Sequence, residues 1–229
     1  MRVALTVALI AAVGQMITGR ISAETVAKYQ PTKLAAMEGN FPADEPAAMY
    51  LFGYVDEKAQ QVDGLKIPGL LSFLVNGDAG KPVAGIKSFK KEDLPPINIV
   101  FQTYHFMITI GVLLFLLTVT CIVFLGRGKL FETRWLLKIL VPAVLLPQIA
   151  NQLGWMTAEI GRQPWIVYGL LRTSEGLSKA IKADVVLVSL IMFTFIYLLL
   201  FVLYIYLFDS KIKLGPDDLD HDDLMHRAD

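Results

Sequence analysis

Within Gln148–Arg162 the residues Gln148, Asn151 or Gln152, Trp155, Glu159 and Arg162 recur at three- and four-residue intervals. In a helix that spacing puts them on one face. A carboxylate and an indole on one stripe, with a guanidinium one turn beyond, admits two readings. In the first, Glu159 pairs with Arg162 at i, i+3 and the stripe is a polar seam between helices. In the second, Glu159 ligates a metal cofactor or relays protons, and Arg162 holds an anionic group such as a haem propionate. Upstream, Met107 reads as packing or as a soft ligand. His105 is open to an interfacial polar role or to axial ligation. The two cannot serve one metal from a regular helix, because positions i and i+2 point about 200° apart. A third pair, Lys33 and Glu38, stands in PTKLAAMEG. It reads either as a solvated pair on an exposed turn or as a donor to a carbonyl oxygen beside a proton acceptor, which quinol oxidation needs. Their i, i+5 spacing is poor for an ion pair within one helix.

The elements that position these residues are membrane spans. Of 229 residues, 55% are hydrophobic and 18% charged, with a mean hydropathy of +0.53. A soluble domain carries about 25% charged residues. Lys plus Arg (21) balances Asp plus Glu (21), so no basic excess points to nucleic acid. Cys121 is the single cysteine, which excludes a disulfide framework and CxxC chemistry. Three runs are long enough to cross a hydrocarbon core: Ile97–Leu125, Trp135–Glu159 and Asp184–Phe208. The second holds Pro142, Pro147 and the polar stripe, too polar for a lipid-facing helix. A further apolar run, Val3–Gly19, follows Arg2 and reads as a signal peptide or as a retained helix, with no clear A-x-A cleavage site after it.

Between Val3–Gly19 and Ile97–Leu125, residues 20–96 form a hydrophilic segment punctuated by Pro42, Pro46, Pro68, Gly77, Gly80, Pro82, Pro95 and Pro96. It predicts a small folded extramembrane loop of short helices and turns, and a connection this long is usually functional. Residues 209–229 predict a solvated acidic tail carrying His221 and His226. Arg127, Lys129, Arg134, Lys211 and Lys213 place their face in the cytoplasm, against Arg162, Arg172, Lys179 and Lys182 on the other side. The long loop is then extracytoplasmic. The expected fold is an all-α membrane protein of four transmembrane helices: residues 1–19, the loop 20–96, and a three-helix part at 97–208.

The string GWMTAEIGRQPW (Gly154–Trp165) resembles a motif of subunit I of the cytochrome bd quinol oxidases: Gly-Trp, three residues, Glu, one residue, then Gly-Arg-Gln-Pro-Trp. QPTKLAAMEG (Gln30–Gly39) is similar to the start of that family's quinol loop, and YHFMITIG (Tyr104–Gly111) to its Met-bearing helix. Order and spacing agree over nearly all of residues 1–208. The family has a helix directly before the loop, which favours a transmembrane helix at Val3–Gly19. The place two residues before the Met, usually Arg in the family, is His105 here.

The resemblance implies Met107 as an axial ligand of the low-spin haem b and Glu159 as the axial ligand of the high-spin haem b. Trp155 would lie among the haems, Arg162 near the propionates, and Lys33 and Glu38 at the quinol site. A neutral thioether favours reduced iron and raises its potential. The chain starts where the family's sixth helix would be. The five earlier helices carry the histidine partner of Met107, the ligand of haem d and a carboxylate proton path. The reading is therefore the C-terminal half of a subunit I in a prokaryotic cytoplasmic membrane. It would work with a membrane subunit carrying the missing helices and histidines, haem d or an equivalent shared with it, and further bd-type subunits. That complex would oxidise quinol and reduce dioxygen. The alternatives are a haem-binding electron-transfer subunit that does not itself reduce oxygen, and a haem-free scaffold.

Overall fold

The computed structural model describes residues 1–42, 45–177 and 181–214. Lys179 and the tail beyond Leu214, with His221 and His226, lie outside the described residues. The chain divides into two units, Met1–Gly176 and Leu177–Asp229. Among the described residues four helices are long and apolar enough to cross a membrane: Arg2–Tyr29, Ile97–Gly126, Arg134–Gly161 and Ala183–Leu214.

Helix α1 (Arg2–Tyr29) runs well past Gly19. The extension is polar, with Arg20 Nε 3.0 Å from Glu24 Oε1 one turn on. It stops at Gln30, whose φ of −141° is non-helical, because Pro31 disfavours the α conformation in the residue before it. Pro31 then opens helix α2 (Pro31–Glu38) at its first position. Gly39 closes α2 in the left-handed conformation at φ 61°. A Cβ there would meet Val62 Cγ2 at 2.6 Å.

The loop holds more than helices and turns. Strands β1 (Met49–Asp56) and β2 (Gln61–Ile67) form an antiparallel hairpin. Asp56 Oδ1 closes the turn by accepting from the amides of Lys58 (2.9 Å) and Ala59 (3.0 Å). The run MYLFGYV is rich in aromatic and β-branched residues, the composition a strand favours, while QVDGLKI contributes Val62 and Ile67. A short helix α3 (Leu70–Asn76) follows. Val55 and Val62 of the hairpin are buried with Ala35, Phe41, Ile86 and Phe101, so the loop core sits on the first turns of helix α4 (Ile97–Gly126).

The expected span Trp135–Glu159 lies in one helical run, Arg134–Gly161, interrupted at Val144 and Leu145 between α5 (Arg134–Ala143) and α6 (Leu146–Gly161), where the backbone dihedrals stay right-handed helical. The ring of a proline crowds the carbonyl four residues before it. For Pro147 that residue is Ala143, where α5 ends. After α6 a small hairpin, β3 (Trp165–Val167) and β4 (Leu171–Arg172), completes the first unit. The second unit is helix α7 (Ala183–Leu214), with a mean hydropathy of 2.9 in its best window.

Helices α4 and α6 meet along two stripes of matched spacing. Val100, Thr103 and Met107 of α4 face Gly161, Thr157 and Gly154 of α6. Thr157 donates to Thr103 at 2.9 Å. A Cβ on Gly154 would lie 2.9 Å from Met107 Sδ, and one on Gly161 would lie 3.3 Å from Val100 Cγ1 and 3.2 Å from Lys33 Cγ. The glycines let the helices close on these side chains. Gly161→Ala should therefore overpack the seam and cost about 1–3 kcal/mol. Gly111→Ala, which adds a methyl group to open space on α4, should be neutral or stabilising by up to about 1 kcal/mol. Thermal unfolding of the two variants in detergent compares them directly. Equal midpoints would show that the seam tolerates a Cβ at Gly161.

Candidate functional site

Lys33 and Glu38 lie on α2, which packs between α4 and α6, and they point to different helices. The Lys33 ammonium donates to the carbonyl of Ala158 on α6 at 3.3 Å. Its pKa is lowered, chiefly because the chain around it removes water; the nearby Glu159 carboxylate opposes that shift and Arg162 adds to it. Glu38 is 2% exposed. Burial pushes its carboxyl pKa up to about 7, with the Tyr104 phenol opposing the shift. One oxygen, Oε2, has no partner. The pair is thus neither solvated nor mutually paired, and the exposed-turn reading does not hold for Glu38.

The α6 stripe divides the helix. Gly154, Thr157 and Gly161 face α4, while Gln148, Asn151, Gln152 and Trp155 are exposed, Trp155 by 63%. Glu159 Oε2 and Arg162 Nη2 are 2.6 Å apart, each side chain 41% exposed. The expected i, i+3 ion pair forms. Within its unit, however, the stripe is not a seam against another helix. It is an outward polar and aromatic face on a candidate span, which in lipid needs a protein or cofactor partner.

His105 is buried on α4. Its Nδ1 lies 2.9 Å from the Phe101 carbonyl oxygen and its Nε2 lies 2.9 Å from that of Tyr50 on β1. Its ring stacks on Phe101 at 3.9 Å. The imidazole thus sits where the loop hairpin meets α4, between two carbonyl acceptors, one of which a neutral ring can supply with an N–H. Met107 is half-buried with its sulfur against Gly154, one turn of α4 beyond Tyr104.

Residues of the two motifs meet here, together with partners outside them. Gln30, Lys33, Arg162 and Trp165 line a small pocket where α2 meets the end of α6. Gln30 Oε1, Arg162 Nε and Trp165 Nε1 have no hydrogen-bond partner. The Arg172 guanidinium stacks over the Trp165 ring at 4.8 Å and pairs with Asp93 of the loop, so the β3–β4 hairpin is fastened to the loop. None of these contacts has a periodic signal, because each joins segments separated along the chain.

The donor set fits haem. Met107 offers a neutral thioether, and Glu159 a carboxylate on a reachable face. Arg162 keeps its Nε unpaired beyond its contact with Glu159, as a partner for an acidic substituent requires.

The family model for cytochrome bd terminal oxidase subunit I matches residues 1–216. The cytochrome bd ubiquinol oxidase subunit 1 of Bacillus subtilis (strain 168) is 32% identical over 97% of this chain and 50% of its own length. The cytochrome bd-II ubiquinol oxidase subunit 1 of Escherichia coli (strain K12) is 27% identical over 90% of this chain and 53% of its own. The solved structure of the bd oxidase from Geobacillus thermodenitrificans superposes with a TM-score of 0.74 at 30% identity, covering 91% of this chain and 48% of that one. The chain thus spans about half the length of these relatives. With four candidate spans in a mostly helical fold, it belongs to the cytochrome bd terminal oxidase subunit I family.

Proposed function

We propose that this chain is the quinol-loop and haem-ligand half of a bd-type quinol oxidase. It would act with a membrane subunit that carries the remaining helices and the histidine opposite Met107. The observation that supports this reading most is the contact of Lys33 with the Ala158 carbonyl. It joins the proposed substrate loop to the helix turn that bears Glu159, so both ends of the reaction meet on α6.

In this reading Lys33 and Glu38 form the quinol site. The Lys33 ammonium donates to a substrate oxygen, and the Glu38 carboxylate takes a hydroxyl proton. Burial suits both to that work, since a Glu titrating near neutral pH exchanges protons where the enzyme operates. Met107 holds the low-spin haem b and Glu159 the high-spin haem b, with Trp155 among the haems and Arg162 at the propionates. When bound, the haems supply one-electron transfer and, with haem d or an equivalent in the partner, the reduction of dioxygen. His105 holds the loop hairpin on α4 in place of the family's arginine. The loop lies outside the cytoplasm and the C-terminus inside it.

The partner is tested by expression. Alone, the chain should lack the low-spin haem, and co-expression with a subunit of about five helices bearing an intramembrane histidine should restore it. A six-coordinate haem bound stoichiometrically to the isolated chain, with quinol turnover in oxygen, overturns the split-subunit reading. The ligands are separable by spectrum. Met107→Leu nearly preserves packing and should convert the low-spin signal to high-spin. Glu159→Ala should disturb only the high-spin haem b, and unchanged spectra in both would leave Met107 as core and Glu159 as a salt bridge. For Glu38 the sign follows from the raised pKa. The accepting carboxylate is populated above pH 7, so quinol turnover should rise with pH through about 7. Glu38→Gln should lose that step and about a hundredfold in rate, while reduction by an artificial donor stays intact. A parallel fall in both routes assigns Glu38 to folding.

A further inference from the structure

We propose that the outer face of the loop hairpin, carried by Phe52, Tyr54, Leu65 and Ile67, is a lipid-contact surface that rests in the headgroup layer of the bilayer. The proposal needs α4 as a membrane span and does not depend on the quinol reading.

The two faces of the hairpin are set by the alternation of side chains along a strand. Val55 and Val62, partners across the hairpin, are buried with Phe101 of α4. Phe52 lies three residues before Val55 and Leu65 three after Val62, so both take the opposite face, where they pair with each other. Tyr54 and Ile67 follow them at two-residue spacing. Phe52 is 58% and Leu65 60% exposed, with Tyr54 and Ile67 exposed beside them. A lone exposed Leu needs no explanation, but several large apolar groups on one sheet face mark an interaction surface.

The level of that face follows from three contacts between β1 and α4. Glu57 Oε1 accepts from the Asn98 amide at 3.2 Å, the Gly53 carbonyl accepts from Gln102 Nε2 at 2.9 Å, and the Tyr50 carbonyl lies 2.9 Å from His105 Nε2. The strand therefore runs antiparallel to α4, and its Tyr50 end lies farther along the span than its turn. Helix α4 has 30 residues and carries no Asp, Glu, Lys or Arg. At 1.5 Å per residue it is about 45 Å long, the thickness of a bilayer with its headgroups, and overhangs a core of about 30 Å by roughly five residues at each end. The stretch from Asn98 to His105 thus runs from the headgroup layer to the edge of the hydrocarbon. The hairpin lies alongside it.

The composition of the hairpin changes in the same direction. Its turn carries Asp56, Glu57 and Lys58, away from the bilayer. Its other end is Met49–Phe52 beside Leu65–Ile67, with Lys66 as the one charge. A Lys keeps its ammonium among the headgroups while its stem lies on apolar surface. A Tyr, apolar in body and polar at the tip, is favoured at this boundary. Phe106, the residue after His105, is exposed too, so the apolar surface continues from the hairpin's level onto the span. At that level the bilayer is the neighbour that α4 itself supplies.

The test places the complex containing this chain in nanodiscs of equimolar phosphatidylethanolamine and phosphatidylglycerol. The probe is a phosphatidylcholine whose acyl chain bears a diazirine next to the ester. Light inserts the carbene into neighbouring bonds, and peptide mass spectrometry maps the adducts. Helix α7, exposed and apolar along its length, is the positive control. Adducts at Phe52 and Leu65 should exceed those at turn residues 56–60 several-fold. Phe52→Thr combined with Leu65→Thr keeps strand-forming residues and should cut hairpin labelling several-fold while α7 labelling stays. An unlabelled hairpin beside a labelled α7 overturns the proposal and leaves the face to a protein partner or a second copy. Labelling of the turn as strong as that of Phe52 overturns it as well, as does labelling of the hairpin that the two Thr substitutions leave unchanged. Should the Thr variant not assemble, the labelling pattern of the unaltered protein decides.

Discussion

The close seam between α4 and α6 is the constraint on which the rest of the first unit depends. Two glycines seven residues apart, with a threonine between them, face a valine, a threonine and a methionine at the same spacing. Without a hydrophobic driving force between helices in lipid, small residues that admit close approach and hydroxyl pairs that bridge are what hold helices together. The seam consumes the small face of α6. Its other face, with Trp155, Glu159 and Arg162, is then turned outward by geometry alone.

The same glycines place side chains of the proposed site. Met107 fills the space over Gly154, and the stem of Lys33 crosses Gly161 before its ammonium reaches the Ala158 carbonyl. The motif residues between Gly154 and Arg162 are therefore of two kinds. Some present chemistry; others make room for chemistry that arrives from α2 and α4. An alanine at either glycine leaves every proposed ligand and titratable group in the sequence and still crowds the side chains packed there.

Much of this architecture is legible in the amino-acid sequence. Long apolar runs and the spacing of polar residues identify the spans and the stripe, because helical period and bilayer thickness are one-dimensional constraints. The rest depends on contacts between distant segments. The loop hairpin is hidden because Pro and Gly punctuation outweighs the strand-forming runs Met49–Val55 and Gln61–Ile67. The interruption of the third span is carried by Pro142 and Pro147, whose effect on Ala143 follows from ring geometry. The tie from His105 to Tyr50, the phenol beside Glu38 and the fastening of Arg172 to Asp93 leave no mark in local sequence, since each partner is ordinary in its own neighbourhood.

The contact at the end of α6 also bears on depth. Glu159 lies two residues before Gly161, the last residue of that helix, a rise of about 3 Å at 1.5 Å per residue. A hydrocarbon core is about 30 Å thick; with Gly161 at its boundary, a charge at Glu159 would lie about a tenth of the way in from the loop-side surface. An elementary charge crossing the whole membrane exchanges about 2.3 kcal/mol per 100 mV of potential. A charge moving between the loop and Glu159 samples roughly a tenth of that. With that placement, proton exchange at the proposed site would be almost insensitive to membrane voltage, whichever way the helix is oriented.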